Sequence, residues 1–401
     1  MAVTDISNSQ LTFTTLPIGV QVTKVTDTSA DWASVSNSVY FYDKADKLVH
    51  YKNSSGTVLE LFSAAGGLTY FTEAQSTASP NATVNVDSLT AVASTANADF
   101  VIKPKGTGAL ITDIPDGTGS GGAKRGIAAI DLQLTRSFYG RVASGNYSVA
   151  IGRENTASGA DGLTIGYECA ATASQSVAIG KGTSSAQFSA CFGYTNNATG
   201  YGSTSIGNNN TASGQESTAI GGYGNTASNL YSLAIGRNTI SSGVGSTAIG
   251  FNSNSYGRYG AMTWAGGSST AQVTRMIYRG NTTDNTLTSL NAQEYFDDAT
   301  NTFSLQNQSA YRFKGTVIAK QAGSTNVAAW DIDGLIVRGA NAAATTLNIS
   351  NVNVVQNTPG WGTPVLSAST SFGSLKVQVQ GAAATNVRWC VLIEGTEVIY
   401  A

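Results

Sequence analysis

The residues able to do chemistry are few, and their spacing limits what they can do. Glu154 and Glu168 stand fourteen positions apart, and each follows an Ile-Gly-x phrase. If that phrase stacks as strands, one rung of roughly 5 Å separates them on an outer surface. Retaining hydrolysis of a glycosidic bond needs two carboxylates about 5 Å apart, flanking a substrate. A slim convex rod offers no cleft for one, so the pair reads as solvated surface. Asp297, Asp298, Asp331 and Asp333 read as turn residues. Asp331 and Asp333 also flank a strand-like alternation, which leaves a cation on a symmetry axis as an open alternative. The single histidine, His50, lies in an expected strand and reads as a packing or surface residue. No Gly-x-Ser-x-Gly elbow surrounds a serine, so no Ser-His-Asp triad is expected. The stretch Lys103–Gly108 lacks the glycine spacing of a phosphate loop. Cys169, Cys191 and Cys390 are odd in number and dispersed, which argues against a disulfide framework, and the two in the repeat, Cys169 and Cys191, read as small buried hydrophobes. No metal, no cofactor and no catalysis are expected. Binding needs no such signature. Trp361, in Asn-Thr-Pro-Gly-Trp-Gly-Thr-Pro, is the candidate for receptor binding through sugar stacking. The competing reading packs it under its own loop or against a neighbouring subunit. Trp330 and Trp389 lie inside alternating strands and read as core.

What could position these residues is a repeat. A glycine recurs at positions 152, 166, 180, 193, 207, 221, 236 and 250, at spacings of 13 to 15 residues. Before it stand Ile151, Ile165, Ile179, Phe192, Ile206, Ile220, Ile235 and Ile249. One step earlier is a small column: Ala150, Thr164, Ala178, Cys191, Ser205, Ala219, Ala234 and Ala248. Fourteen residues are too few for a helix pair but suffice for one coil of a solenoid, two short strands with two tight turns. The alternation large-small-Ile has the two-residue period of a strand, and glycine supplies turns with φ > 0. Eight parallel rungs would span about 40 Å. The reading places the Ile column inside as a core ladder. The small column faces outward, where it lets another chain approach closely. So thin a coil has little core, which implies burial against copies of itself, with three-fold association as the closed arrangement.

The phrase SVAIG at Ser148–Gly152 and Ser176–Gly180, with STAIG at Ser217–Gly221 and Ser246–Gly250, resembles the head repeats of YadA-type trimeric autotransporter adhesins. The resemblance covers about residues 141–260 and implies a left-handed parallel β-roll that trimerises. It implies no ligand. The first ten residues have neither a basic start nor an apolar stretch, so no secretory signal is expected. No heptad stalk follows, and no run of eighteen apolar residues predicts membrane insertion. The same roll occurs in phage tail fibres. The stretch Ser38–Phe62 resembles their small N-terminal modules, and FVIKPKGTGAL resembles a phrase of their shafts. Residues 268–401 resemble fibre tip domains, without a signature motif.

Composition agrees with a fibre. Charged residues are 11 % of the 401, with 45 glycines and 6 prolines, and the net charge of −2 gives no footprint for nucleic acid. The organisation expected is all-β: an N-terminal β module at 1–75 for virion attachment, and a short β shaft segment with a Gly-rich flexible linker at 76–124. The β-roll follows at 125–267 and a β-sandwich tip at 268–401, with 291–299 the one fair helix candidate and equally readable as a strand. The function expected is a non-enzymatic homotrimeric phage tail fibre, in the virion and extracellular when it acts. Its partners would be its own copies, tail or baseplate proteins at the N-terminal region, and a host-surface glycan or protein receptor. The alternatives are a polysaccharide-degrading tailspike, or a purely structural capsid fibre or collar protein.

Overall fold

The computed structural model describes residues 101–267, 270–293 and 298–400. Of the first hundred residues it describes six strands and residues 32–33, 35, 55–57 and 97. Two compact units result, divided between Ile102 and Lys103. In the first, Val39–Asp43, Leu48–Lys52 and Val58–Glu60 form the antiparallel meander expected from Ser38–Phe62, and Val22–Thr26 joins it in parallel. His50 is buried with its ring 4.7 Å from that of Trp32, a packing role. A hairpin the sequence reading missed, Phe71–Ser76 with Val86–Ala91, spans position 75. In the phrase at 98–117, Phe100 lies outside the described residues and Val101–Ile102 is exposed and not strand, whereas Leu110–Ile111 is.

The second unit is a β-solenoid. Most coils have a longer strand, such as Leu163–Tyr167 or Thr204–Asn208, and a two-residue strand, such as Thr211–Ala212; in Val177–Ser184 and Ala190–Ala198 the two are continuous. Successive coils pair in parallel with Gly on Gly: Gly152 with Gly166, Gly166 with Gly180, and so on to Gly236 with Gly250. The coils of 13 and 15 residues keep this register, because bulges after Lys181 and Gly221 absorb the difference.

The structure inverts the two columns. Ala150, Thr164, Ala178, Cys191, Ser205, Ala219, Ala234 and Ala248 are the interior, each at most 1 % exposed. They face Ala157, Ala171, Ser184, Ala198, Ala212, Ala227 and Ser241 from the short strands, also fully buried. Ile151, Ile165 and Ile206 are 36 % exposed on the outside, and Ile179, Phe192, Ile220, Ile235 and Ile249 are half-buried there. The reason is space: two strands joined within fourteen residues lie too close for a side chain as large as isoleucine or phenylalanine between them. Interior hydroxyls bond backbone carbonyls, Thr164 to Val149 at 3.2 Å and Ser205 to Asn210 at 2.9 Å.

A further interior column escaped the sequence reading. Asn155, Asn196, Asn210 and Asn225 are buried just past the glycine turn. Asn210 Nδ2 donates to the Ile206 and Gly221 carbonyls at 2.7 and 3.1 Å, and its Oδ1 accepts from the Asn225 backbone N–H at 2.8 Å. Each asparagine thus clips its own turn and the next coil. The glycines have a matching constraint. Gly207 sits at φ +125°, and a Cβ there would fall inside the van der Waals envelope of the Gly221 carbonyl oxygen. The same holds along the column.

The Gly-rich stretch at 117–124, read as a flexible linker, is pinned. Buried Arg125 donates to the Gly121 and Ala123 carbonyls at 2.6 and 2.9 Å and pairs with buried Asp131 at 2.6 Å. Arg136 donates to Ser120 O at 2.5 Å and pairs with Asp113 at 3.0 Å. Two guanidiniums therefore hold the entry to the roll.

At the other end the sheet does not break. Met262–Gly266 pairs in parallel with Thr247–Phe251, and Ala271–Thr282 returns antiparallel beside it. The sheet continues through Val387–Ile399, Ser309–Gln321, Val327–Arg338 and Thr345–Asn357. A second sheet, Thr288–Leu290, Phe303–Ser304, Gly362–Ser369 and Ser374–Gln380, lies against the inner face of this long sheet. The core between them holds Tyr278, Phe303, Phe313, Trp330, Val377 and Trp389. In the helix candidate, Asn291 bridges Arg279, 292–293 is a turn, and 294–297 lies outside the described residues. Beneath the last coil Arg258 is fully buried. It bonds Tyr311 Oη at 2.6 Å, Thr274 at 3.2 Å and Ser304 O at 2.8 Å, with Glu397 at 3.9 Å. Burial pushes the Glu397 carboxyl above its ordinary range, and Arg258 works against that shift.

Three substitutions test these constraints. Gly207→Ala should lower stability by about 3 kcal/mol or more, through both the clash and the φ penalty. Gly245→Ala, at φ +62° with open space around it, should cost about 1–2 kcal/mol. Arg258→Ala strands a buried carboxylate and should cost about 3–5 kcal/mol. Guanidinium denaturation measures all three.

Candidate functional site

The structure brings Glu154 and Glu168 together, each at a left-handed turn position with φ of +60° and +54°. Arg141 bridges them, 3.1 Å from Glu154 and 3.7 Å from Glu168, and Lys181 Nζ is 2.7 Å from Glu168. The hydrogen bond from Lys181 holds the Glu168 carboxyl below its usual range. A retaining glycosidase needs one carboxyl that keeps a proton near neutral pH. Glu168 is tuned the other way and does not supply that proton; with Glu154, Arg141 and Lys181 it forms an ion-pair ladder.

Asp331 and Asp333 are not turn residues. They project outward from the middle of Val327–Arg338, where Asp333 pairs with Arg312 at 2.5 Å and Asp331 accepts from Thr316 at 3.4 Å. The alternation that flanks them belongs to the strand itself. Asp298 is in a turn, where it accepts from the Thr300 and Asn301 backbones at 2.7 and 2.9 Å; Asp297 lies outside the described residues. Among the described residues no group of three or more His, Cys, Asp or Glu is gathered as a metal would require. Nor is any helix there long and apolar enough to cross a membrane. Cys169 and Cys191 are roll interior, and burial pushes the Cys169 thiol up to about 11, which makes it inert; Cys390 is exposed.

Trp361 does not serve as an exposed platform. It is 4 % exposed, its ring 5.8 Å from Trp389, and Asn357 clamps its backbone N–H and carbonyl at 3.0 and 2.7 Å. The Pro-Gly turn folds it inward onto the core that Trp330 and Trp389 share.

What the molecule presents instead is an outer face. The Ile column ends opposite Trp264, 58 % exposed and paired with Ile249. From there the face passes onto the long sheet, where Ile277, Ile318 and Leu392 are exposed near a cluster of Arg275, Glu394 and Lys314. Ile277 stands opposite Leu392, and Ile318 opposite Cys390. Beside the Ile column runs a second line of side chains, the residues that follow the glycines. Arg153 lies over the Tyr167 ring at 4.3 Å, and Lys181 is 5.2 Å from Tyr167 and 5.6 Å from Tyr194. Arg237 lies 5.2 Å from the Phe251 ring. This line was not foreseen, although every member follows a glycine of the repeat or that glycine's bulge.

Residues 143–168, 198–223, 222–239, 227–253 and 241–259 match the YadA head domain repeat. The chain thus carries these repeats in its roll. One solved structure it resembles is the tailspike gp49 of Acinetobacter baumannii bacteriophage Fri1, a capsular polysaccharide depolymerase. That match has 11 % identity and a TM-score of 0.22, over 73 % of this chain and 56 % of that one. Another is the tailspike of the Acinetobacter phage vB_ApiP_P1, at 9 % identity and a TM-score of 0.21, over 94 % of this chain and all of that one. The chain spans just over half of the Fri1 tailspike. No curated protein sequence matches it. The expectation of a chain without catalysis is corrected here. The first of these proteins is an enzyme, so absence of catalysis does not stand as a property of this chain. A likeness this low assigns no reaction and no residue.

The ion-pair ladder has its own check. The Glu168 carboxyl carbon, followed by NMR, should titrate below 4.5, the ordinary value, and Lys181→Met should move it back toward that value. Its depressed value means that the contact with Lys181 is present above the ordinary carboxylate range and is lost as pH falls through the folded-state value.

Proposed function

We propose that the protein is a homotrimeric, tailspike-type fibre of a phage virion, its copies meeting along the face that carries the Ile column and Trp264. One observation carries this reading. Every rung of the roll places a branched or aromatic residue on the outside, while its interior holds only small side chains. A face of that kind gains most of its burial from a partner, and identical faces meet around a closed symmetry axis. The roll would wind left-handed, as in the repeats it matches. The N-terminal module, residues 1–75, attaches to tail or baseplate proteins, and 76–124 leads into the roll at 125–267. The two packed sheets of 268–401 form the distal part, which meets a host-surface glycan or protein. Three tips per fibre and several fibres per particle add weak contacts into stable adsorption. No membrane or nucleic acid enters this reading.

Cleavage of a host polysaccharide, the activity named for the Fri1 tailspike, fits the same fibre and is the favoured second reading. Incubating the purified protein with host capsule and assaying reducing ends decides between attachment alone and attachment with cutting.

The assembly is tested by light scattering. The wild type should have about three times the 41.2 kDa of one chain. Ile206→Asp with Ile220→Asp should release folded or partly unfolded single chains. A wild type that is a stable lone chain overturns the reading.

A further inference from the structure

The side chain after each glycine of the column, with its bulge at Gly222, lies outside the roll on one edge. In rung order these are Arg153, Tyr167, Lys181, Tyr194, Asn208, Tyr223, Arg237 and Phe251. A ring occupies every second rung, and a cation or an amide stands between rings. Tyr194 is 57 % exposed, and Tyr167 and Tyr223 also face solvent. Two rungs set neighbouring rings roughly 10 Å apart. The backbone beneath cannot drift, because the glycine stack and the asparagine clips hold it.

Bracing of the coils by cation–π contact explains part of this. It does not explain rings left half open, nor charges left uncompensated. Lys181 is paired with Glu168. Arg153 and Arg237, among the described residues, face no carboxylate, and each is held over a ring. Oriented guanidiniums without an ion pair, set beside exposed aromatic faces, suit a ligand with the reciprocal pattern: flat apolar sugar faces alternating with carboxylates. Stacking against the rings and charge-assisted hydrogen bonds to the cations would then recur along the ligand.

We propose that this edge of the roll binds an extended acidic polysaccharide, a polyuronate-like chain lying along the rungs from Arg153 to Phe251. The inference deepens the attachment reading by naming the ligand chemistry and placing part of the contact on the roll, and it rests on that reading.

Affinity electrophoresis of the full chain through gels containing polygalacturonate or neutral dextran tests it. The wild type should be retarded by polygalacturonate alone, and less so at higher salt. Tyr167→Gln with Tyr194→Gln should weaken binding about tenfold or more. Arg153→Gln with Arg237→Gln should weaken it and flatten its salt dependence, with oligomer size unchanged. If one pair of variants fails to fold, the other still decides. No retardation by polygalacturonate, equal retardation by dextran, or folded variants that bind like wild type would each overturn the proposal. Adsorption of the wild type to host cells, measured in parallel, separates the two failures. Adsorption without polygalacturonate binding sinks this site and leaves the fibre reading standing. Polygalacturonate binding without adsorption sinks the fibre reading.

Discussion

A coil of fourteen residues leaves space between its two strands for a methyl or a hydroxymethyl group and little more. Ala150, Ser205 and Ala219 fill that space completely, and the glycine stack beside them tolerates no Cβ. Nearly everything else follows from this narrowness. Alanine contacts bury little apolar area, so the interior contributes modestly to stability. Hydrogen bonding carries a larger share: parallel ladders between coils, serine and threonine hydroxyls on backbone carbonyls, and asparagines that each serve two turns. Bonds of this kind specify register more strongly than they drive collapse.

The branched residues excluded from the interior stand outside, on one face. Because the sheet runs without interruption from the roll into the long antiparallel strands, the face extends past Trp264 to Ile277, Leu392 and Ile318. The C-terminal strands solve the packing problem differently. Their twelve and thirteen residues alternate buried with exposed, and a second sheet closes over the buried side. There the core is large enough for three tryptophans and for a buried arginine with its full set of partners. One chain thus holds a stretch that needs a neighbour and a stretch with a core of its own.

For function, the same geometry turns a repeat into a ruler. Any side chain type placed after the glycine recurs at a fixed interval along one edge. Rings and cations placed there make a periodic surface, which suits a periodic ligand. The carboxylates Glu154 and Glu168, brought to one place by the same repeat, pair with Arg141 and Lys181 beside that edge.

The sequence by itself determined the repeat, its strand character and its register, because these are local: glycine at φ > 0, a two-residue alternation, and a spacing short enough to be covalently obvious. It also marked the C-terminal strands by their alternation. Which side of each strand is inside was not legible. Hydrophobicity alone places isoleucine within, and only the distance between the two strands of a coil shows that it does not fit. Trp361 failed for a similar reason, since a Pro-Gly turn gives no direction until the sheet beneath it is known. The Gly-rich stretch at 117–124 looked flexible because the arginines that pin it lie beyond it in the chain. The asparagine clips and the ring-and-cation edge were visible as letters, after the glycine in coil after coil. They acquired meaning only when stacking placed each one above the next.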